Sequence, residues 1–491
     1  MFAGLRFQKS GAASPARPKH RRSYFSFLVA TMAWLGAAAF VGAMVAAAPS
    51  RSAGTPFAPR DLADRIALSP GADPAREMAV AYRTSPDQTR SLAQLARAVD
   101  GPALEELAVA IEGRAPPRAI ESANGPAFYH QIRFANLEPD TMYAYRLKGA
   151  AGWTEWLQFK TASSAPKPFR FLYLGDVQDG ILSEGSRVVR QAFGAHGAIE
   201  LVLHAGDLVD QRDNLDHDDE WGEWNAAAGY HYAVVPQIPA AGNHEYDNLL
   251  LPDAGSRRRL GAYWPLQFAL PPNGAPSTSE TTYYVDYQGV RFIILDGTSA
   301  IELGTIEGQT RWLDRALASS KAAWNVILLH QPIFSCGRPR DTETLKAAWK
   351  PVFEKRKVDL VLQGHDHCYS RMTAEPMRGA SRKMKGPVYM VSVAGAKMYA
   401  LTDRAAAHAD RAAEGTQLYQ IIDVASDRLD VRVYTATGQL YDAFGIERGA
   451  DGGNLLREGD EVLIAERLCE DGVSADGSTC RLRSKKIGFG R

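Results

Sequence analysis

Two different rhythms of apolar positions divide the chain. Between Thr55 and Thr161 the apolar runs are short and spaced by turn residues: Met78 to Tyr82, Phe128 to Phe134, Met142 to Leu147 and Trp156 to Phe159. Leu137-Glu138-Pro139-Asp140 and Gly149 to Gly152 mark turns between them. A strand sends alternate side chains to opposite faces, so such runs at this spacing predict an antiparallel β-sandwich over residues 55–162. Ser91 to Ile111 departs from the alternation and predicts a helical or looped insertion. No cluster of ligand-type residues falls in this region, which reads as a packing or positioning module.

After a polar linker from Ser163 to Pro168 the rhythm changes. Near-continuous apolar runs (Phe169 to Leu174, Leu201 to Leu203, Val326 to Leu329, Leu360 to Leu362) alternate with helix-spaced segments at Ser183 to Ala195, Gln309 to Ser319 and Thr344 to Lys355. Strands buried on both faces and interleaved with helices predict an α/β domain over 168–448. Tyr283 to Tyr287 and Val290 to Leu295, joined at Gln288-Gly289, read as an antiparallel pair, so the sheets are mixed. The expected fold is therefore α/β, with mixed sheets and flanking helices, behind an antiparallel β-sandwich. A Gly- and Asp-rich tail follows over 449–491.

The first 50 residues have a different composition. Arg6, Lys9, Arg17, Lys19, Arg21 and Arg22 precede an uncharged run from Tyr24 to Ala48 that ends in Ala46-Ala47-Ala48. That order predicts an export signal, and Arg21-Arg22 before Ser23-Tyr24-Phe25 resembles the twin-arginine type. An uncleaved anchor is the alternative reading. Either places the protein outside the cytoplasm: periplasmic, secreted or at the cell surface. No membrane contact beyond that anchor is expected.

Lys+Arg and Asp+Glu are balanced at 56 each, so no overall field favours a polyanion and no nucleic-acid partner is expected. All four cysteines come late. Cys469 and Cys480 bracket a loop and are expected to bridge it. Cys336 and Cys368 either meet at one rim of the site or remain free buried thiols.

The candidate chemistry lies just past the apolar runs. There the chain reads Gly175-Asp176-Val177-Gln178, Gly206-Asp207-Leu208-Val209-Asp210, Gly242-Asn243-His244-Glu245, His330-Gln331-Pro332 and Gly364-His365-Asp366-His367. Ligands of open α/β sheets bind at the carboxyl ends of the strands. Glycine precedes the candidate ligand in four of the five segments and permits close backbone approach. Carboxylate, amide oxygen and imidazole without thiolate suit ions such as Mn, Fe or Zn. Two ions about 3.5–4 Å apart can clamp a phosphoryl group and lower the pKa of bound water toward about 7. Asp179 and His217 are expected at the rim.

In order, these five blocks resemble those of the calcineurin-like metallophosphoesterases. Glu220-Trp221 through Pro239 and Val358 to Arg371 are similar to the purple acid phosphatase branch in particular. Leu137-Glu138-Pro139-Asp140-Thr141 with Tyr143-Ala144-Tyr145-Arg146 is similar to that branch's fibronectin III-like N-terminal domain. The resemblance spans about residues 57–447. It implies Asp176, a bridging Asp207 and His367 on a first metal, and Asp207, Asn243, His330 and His365 on a second. It further implies His244 as general acid or phosphate-stabilising group, with Glu245 orienting it. The implied substrate is a small phosphate monoester, attacked by hydroxide held on two divalent or trivalent ions. The alternatives are a phosphodiesterase or nucleotide pyrophosphatase on the same site, and a cell-surface binding module with a vestigial site.

The chain departs from the branch in two places. Asp210 stands where purple acid phosphatases have the tyrosine that colours their iron. In the wider superfamily Asp occupies that place and supports the His of Gly-Asn-His, so Asp210 is expected to support His244. Gln178 replaces the branch's Gly and the superfamily's His, and is expected to offer its oxygen to the first metal.

Overall fold

A computed structural model describes residues 55–482 apart from 115–117, 211–215, 252–254, 340, 374–380, 451–452, 462, 475 and 481. The export segment expected over 1–50 lies outside the described residues. No helix among them is long and apolar enough to cross a membrane.

The N-terminal strands are β1 (Asp64–Pro70), β2 (Met78–Thr84), β3 (Leu92–Arg97), β4 (Val109–Glu112), β5 (Phe128–Phe134), β6 (Met142–Leu147) and β7 (Leu157–Lys160). They form two antiparallel sheets, ordered β1-β2-β5 and β4-β3-β6-β7. Val80, Tyr82, Ile132 and Phe134 of the first face Leu95, Tyr143, Tyr145 and Phe159 of the second in one buried core. The expected insertion at Ser91 to Ile111 is instead mostly sheet: β3, the short helix α1 (Leu104–Leu107) and β4. Its Ala and Leu residues favour helix locally, but Ala93 and Leu95 turn inward and pair with Leu147 and Tyr145, and that burial outweighs propensity.

The second domain opens with β8 (Phe169–Leu174), α2 (Ser186–Ala195), β9 (Ile199–His204), α3 (Asp218–Ala228), α4 (His231–Val234) and β10 (Gln237–Pro239). A hairpin, β11 (Tyr246–Leu251) and β12 (Gly255–Leu260), follows, then α5 (Trp264–Gln267), β13 (Tyr283–Tyr287) and β14 (Val290–Ile294). Next come α6 (Gly297–Glu302), α7 (Ile306–Ala318), β15 (Trp324–Leu328), α8 (Glu343–Lys355), β16 (Leu360–Gln363) and β17 (Tyr369–Met372). The remainder comprises β18 (Ser381–Lys383), β19 (Val388–Val391), β20 (Arg411–Ala413), β21 (Leu418–Val424), β22 (Arg428–Thr435), β23 (Leu440–Arg448) and β24 (Asn454–Glu458).

These strands build two mixed sheets, ordered β10-β9-β8-β21-β22-β23-β24-β18 and β13-β14-β15-β16-β19-β17-β20. Alternation along each strand assigns the layers. Phe171 and Tyr173 face Phe292, Val326 and Leu362 in the core between the sheets. Leu172 and Leu174 point the other way, onto Val188 and Val189 of α2 and Trp221 and Trp224 of α3. On the far side Ile293, Ile327 and Val361 meet Leu313 of α7 and Trp349 of α8. The result is an α/β/β/α stack in which β8, β9 and β10 run parallel in one sheet and β14, β15, β16 and β19 in the other. Both parallel sets end at the same edge, so their exits converge.

Candidate metal centre

Each parallel strand delivers a polar side chain as it ends. Asp176 follows β8, Asp207 follows β9, Asn243 follows β10, His330 follows β15, and His365 and His367 follow β16. Asp207, His365 and His367 have φ of 50°, 74° and 47°. Side chains other than glycine rarely occupy that left-handed region, and such strain is tolerated where the surrounding structure enforces it. The preceding glycines leave no room for more: a Cβ on Gly364 would lie 2.2 Å from Asp176 Oδ1, and one on Gly242 2.2 Å from Asp207 Oδ1.

The six residues stand in one buried pocket. Asp207, His330 and His365 offer ligand atoms within 4.8 Å of one another, and so do Asp176, Asp207 and His367. Asp207 belongs to both groups. His330 Nε2 lies 3.2 Å from Asp207 Oδ2, 3.2 Å from Asn243 Oδ1 and 3.0 Å from His365 Nδ1. His367 Nε2 is 3.2 Å from Asp176 Oδ2.

The donor chemistry fits cations. His330 Nδ1 donates to the Ala205 carbonyl, and His367 Nδ1 donates to that of Lys397, each at 2.8 Å. Those bonds turn the Nε2 atoms inward as ligands. Asp176 Oδ2 is buried without a hydrogen-bond partner. In the metal-free chain burial pushes the Asp176 carboxyl up to about 7. Burial pulls the other way on His330, but Asp207 and Asp176 outweigh it and raise the imidazole to about 9. The pocket therefore draws positive charge, which two divalent or trivalent ions such as Fe, Mn or Zn satisfy with this all-oxygen-and-nitrogen set.

Three residues are placed differently from expectation. Gln178 turns its amide nitrogen inward, 2.8 Å from Asp207 Oδ2 and 2.9 Å from His367 Nε2, while its oxygen is buried without a partner. Glu245 does not orient His244. Its carboxylate accepts N–H bonds from Gly242 (2.6 Å), Leu208 (2.7 Å) and Asp207 (2.9 Å), tying two ligand loops together. His217 is not at the rim but buried, 3.6 Å from Asp247 Oδ1. Asp179 is half-buried and lines a separate cleft with Asp210 and Glu220.

His244 sits beside this pocket. Its backbone N–H donates to Asp207 Oδ1 at 2.9 Å, and its Nε2 lies 3.9 Å from Asp207 Oδ2. Its Nδ1 donates to the backbone carbonyl of Asp210, whose carboxylate is 3.5 Å away. Burial holds the imidazole below its usual range; Asp207 opposes that shift and Lys397 assists it.

Residues 169–369 match the profile of the calcineurin-like phosphoesterases, and residues 63–161 match the purple acid phosphatase N-terminal domain. This chain carries a calcineurin-like metallophosphoesterase domain. Over 253 residues it is 27% identical to Fe(3+)-Zn(2+) purple acid phosphatase 12 of Arabidopsis thaliana, covering 50% of this chain and 52% of that protein. A purple acid phosphatase of Glycine max is 28% identical, with 50% and 53% covered. An uncharacterised Mycobacterium tuberculosis protein is 30% identical, with 51% of each covered. The chain thus spans about half the length of the curated relatives it matches. The solved structure of PhoD shares the fold, at a TM-score of 0.55 and 14% identity over 81% of this chain and 92% of that one.

Around the phosphoesterase domain's metal pocket lie supports that the motifs did not reveal. Asp366, between the two histidines, accepts bonds from the Ser335 hydroxyl and from the N–H groups of Cys336 (2.9 Å) and Gly337 (3.2 Å). Cys336 and Cys368 are joined in a buried disulfide, which resolves the open alternative, and Cys469 pairs with Cys480 as expected. The N-terminal module contributes a clamp. Arg65, Arg83, Asn124 and Tyr129 all bond Asp218, the first residue of α3. Two residues on, Glu220 accepts the Asp210 N–H at 2.8 Å and so holds the loop that supports His244. Glu220-Trp221 stood out in the sequence only by resemblance, and Asp218 carried no local signal.

Proposed function

We propose that the protein is an exported hydrolase of small phosphate monoesters. The observation that carries this reading is Asp207, shared by two ligand groups, with His244 alongside. Two bound ions would supply Lewis acidity toward a phosphoryl group and would lower the pKa of water. Asp176, Asp207, Asn243, His330, His365 and His367 would hold them, and Glu245 keeps the Asp207 and Gly242 loops in register. Because His244 Nδ1–H is committed to the Asp210 carbonyl, the proton it can give to a leaving oxygen is the one on Nε2. Similarity to proteins named purple acid phosphatases supports the phosphatase reading. Export is supported by the basic, apolar and small-residue order of the first 50 residues and by two disulfides, which suit an oxidising compartment.

The test is hydrolysis of an aryl phosphate against its bis-aryl diester, with and without chelator. Chelator-sensitive turnover favouring the monoester is expected. Preference for the diester would move the protein to the phosphodiesterases, and no turnover of either would remove the enzymatic reading. Cell fractionation that left the protein in the cytoplasm would remove export.

A further inference from the structure

Lys397 does two separable things at the metal pocket. Its backbone carbonyl accepts the Nδ1 hydrogen of His367 at 2.8 Å, a bond any residue at this position could make. Its side chain, 13% exposed, reaches to 3.6 Å from Asp210 Oδ1, which in turn stands 3.5 Å from His244 Nδ1. The ammonium is thus set on the His244 side of the pocket while the same residue's backbone anchors His367. A lysine so nearly buried gives up rotamer freedom, and its pairing with a carboxylate that is 36% exposed, at 3.6 Å, returns little. That weak pairing leaves the ammonium available to a ligand oxygen arriving beside His244.

We infer that Lys397 Nζ contacts a phosphoryl oxygen of the substrate and makes the site prefer a dianionic phosphate monoester over a monoanionic diester. The inference rests on the phosphatase reading and names the residue that sets its substrate charge. A compact ammonium acts as a point charge toward phosphate, so its attraction scales with the charge of the incoming group. The free enzyme keeps that charge partly satisfied by Asp210, and the dianion displaces this weak pairing.

The experiment compares the metal-loaded full chain with Lys397→Met and Lys397→Arg. It reads KM for the aryl phosphate and for the diester, binding of inorganic phosphate by calorimetry, and metal content by elemental analysis. Lys397→Met is expected to raise KM for the monoester and weaken phosphate binding roughly tenfold or more, with the diester KM changed less than about threefold. Both metals should stay, because the carbonyl that orients His367 is untouched; Lys397→Arg should recover most of the loss. Unchanged phosphate binding, an equal rise in KM for both esters, or loss of metal in the Met variant would each overturn the inference. If the wild type hydrolyses neither ester, the phosphatase reading fails on its own, and phosphate binding by wild type and Lys397→Met still decides Lys397.

Discussion

The Asp210 backbone carbonyl accepts the His244 Nδ1 hydrogen, while the Asp210 carboxylate stands 3.5 Å from that nitrogen and 3.6 Å from Lys397 Nζ. Support for His244 thus comes through the main chain. Asp210→Ala should therefore cost less than about tenfold in kcat, whereas His244→Ala should cost about 10²–10⁴-fold with both metals retained. Steady-state kinetics beside elemental analysis checks this. Equal losses in the two variants would return the supporting role to the Asp210 side chain.

Asp218 joins the two domains. Arg65 reaches it at 2.7 and 2.9 Å, Tyr129 and Asn124 at 2.7 Å, and Arg83 at 3.3 Å, and both arginines are buried. Asp218→Ala would leave Arg65 a buried cation without its carboxylate, a change that typically costs about 3–5 kcal/mol, while Arg83 keeps Asp64 at 2.8 and 2.9 Å. Denaturant unfolding should show that loss, and kcat should fall as Glu220 loses its hold on Asp210. A destabilisation below about 1 kcal/mol would show that the clamp is dispensable.

The Cys336–Cys368 disulfide closes a loop with a sequence separation of 32 and ends one residue after His367. Loop-closure entropy for such a link is worth about 2–4 kcal/mol. Cys336→Ser with Cys368→Ser should lower the free energy of unfolding by that amount and speed metal loss to a chelator. Metal release at the wild-type rate would show that Asp366 alone holds the ligand loop.

His130 and His204 are both buried, and burial lowers each to about 4; at His204 a bond to Gln237 opposes the shift. Between the ordinary imidazole value near 6.5 and about 4, the unfolded chain binds protons that the folded chain refuses. Their contribution is therefore whole above pH 6.5 and drains away as pH falls toward 4, by about 1–3 kcal/mol each. Urea midpoints at pH 7.5 and 5 should differ more for the wild type than for His130→Gln. An identical difference would show that His130 titrates normally in the folded chain.

The β-strands and the strand-exit positions of the six candidate ligand residues are readable because their signals are local. Period-2 alternation marks Phe128 to Phe134, and a glycine before Asp207, Asn243 and His365 marks a strand exit. Misreadings arose where a local preference met a distant partner. Ser91 to Ile111 suggested a helix or loop until β6 lay beside it. The resemblance implies that Glu245 orients His244, yet its carboxylate turns to the N–H groups of Asp207 and Leu208, 38 and 37 residues away.

Residue order alone settles which side chains leave the strands at the shared edge, since strand period and glycine turns act over a few residues. Folding in three dimensions decides what those side chains do. Whether Gln178 presents nitrogen or oxygen, whether Asp210 works through backbone or carboxylate, and where Lys397 carries its charge depend on contacts between segments up to 189 residues apart. Such contacts are set by packing of whole layers, and no short stretch of sequence encodes them.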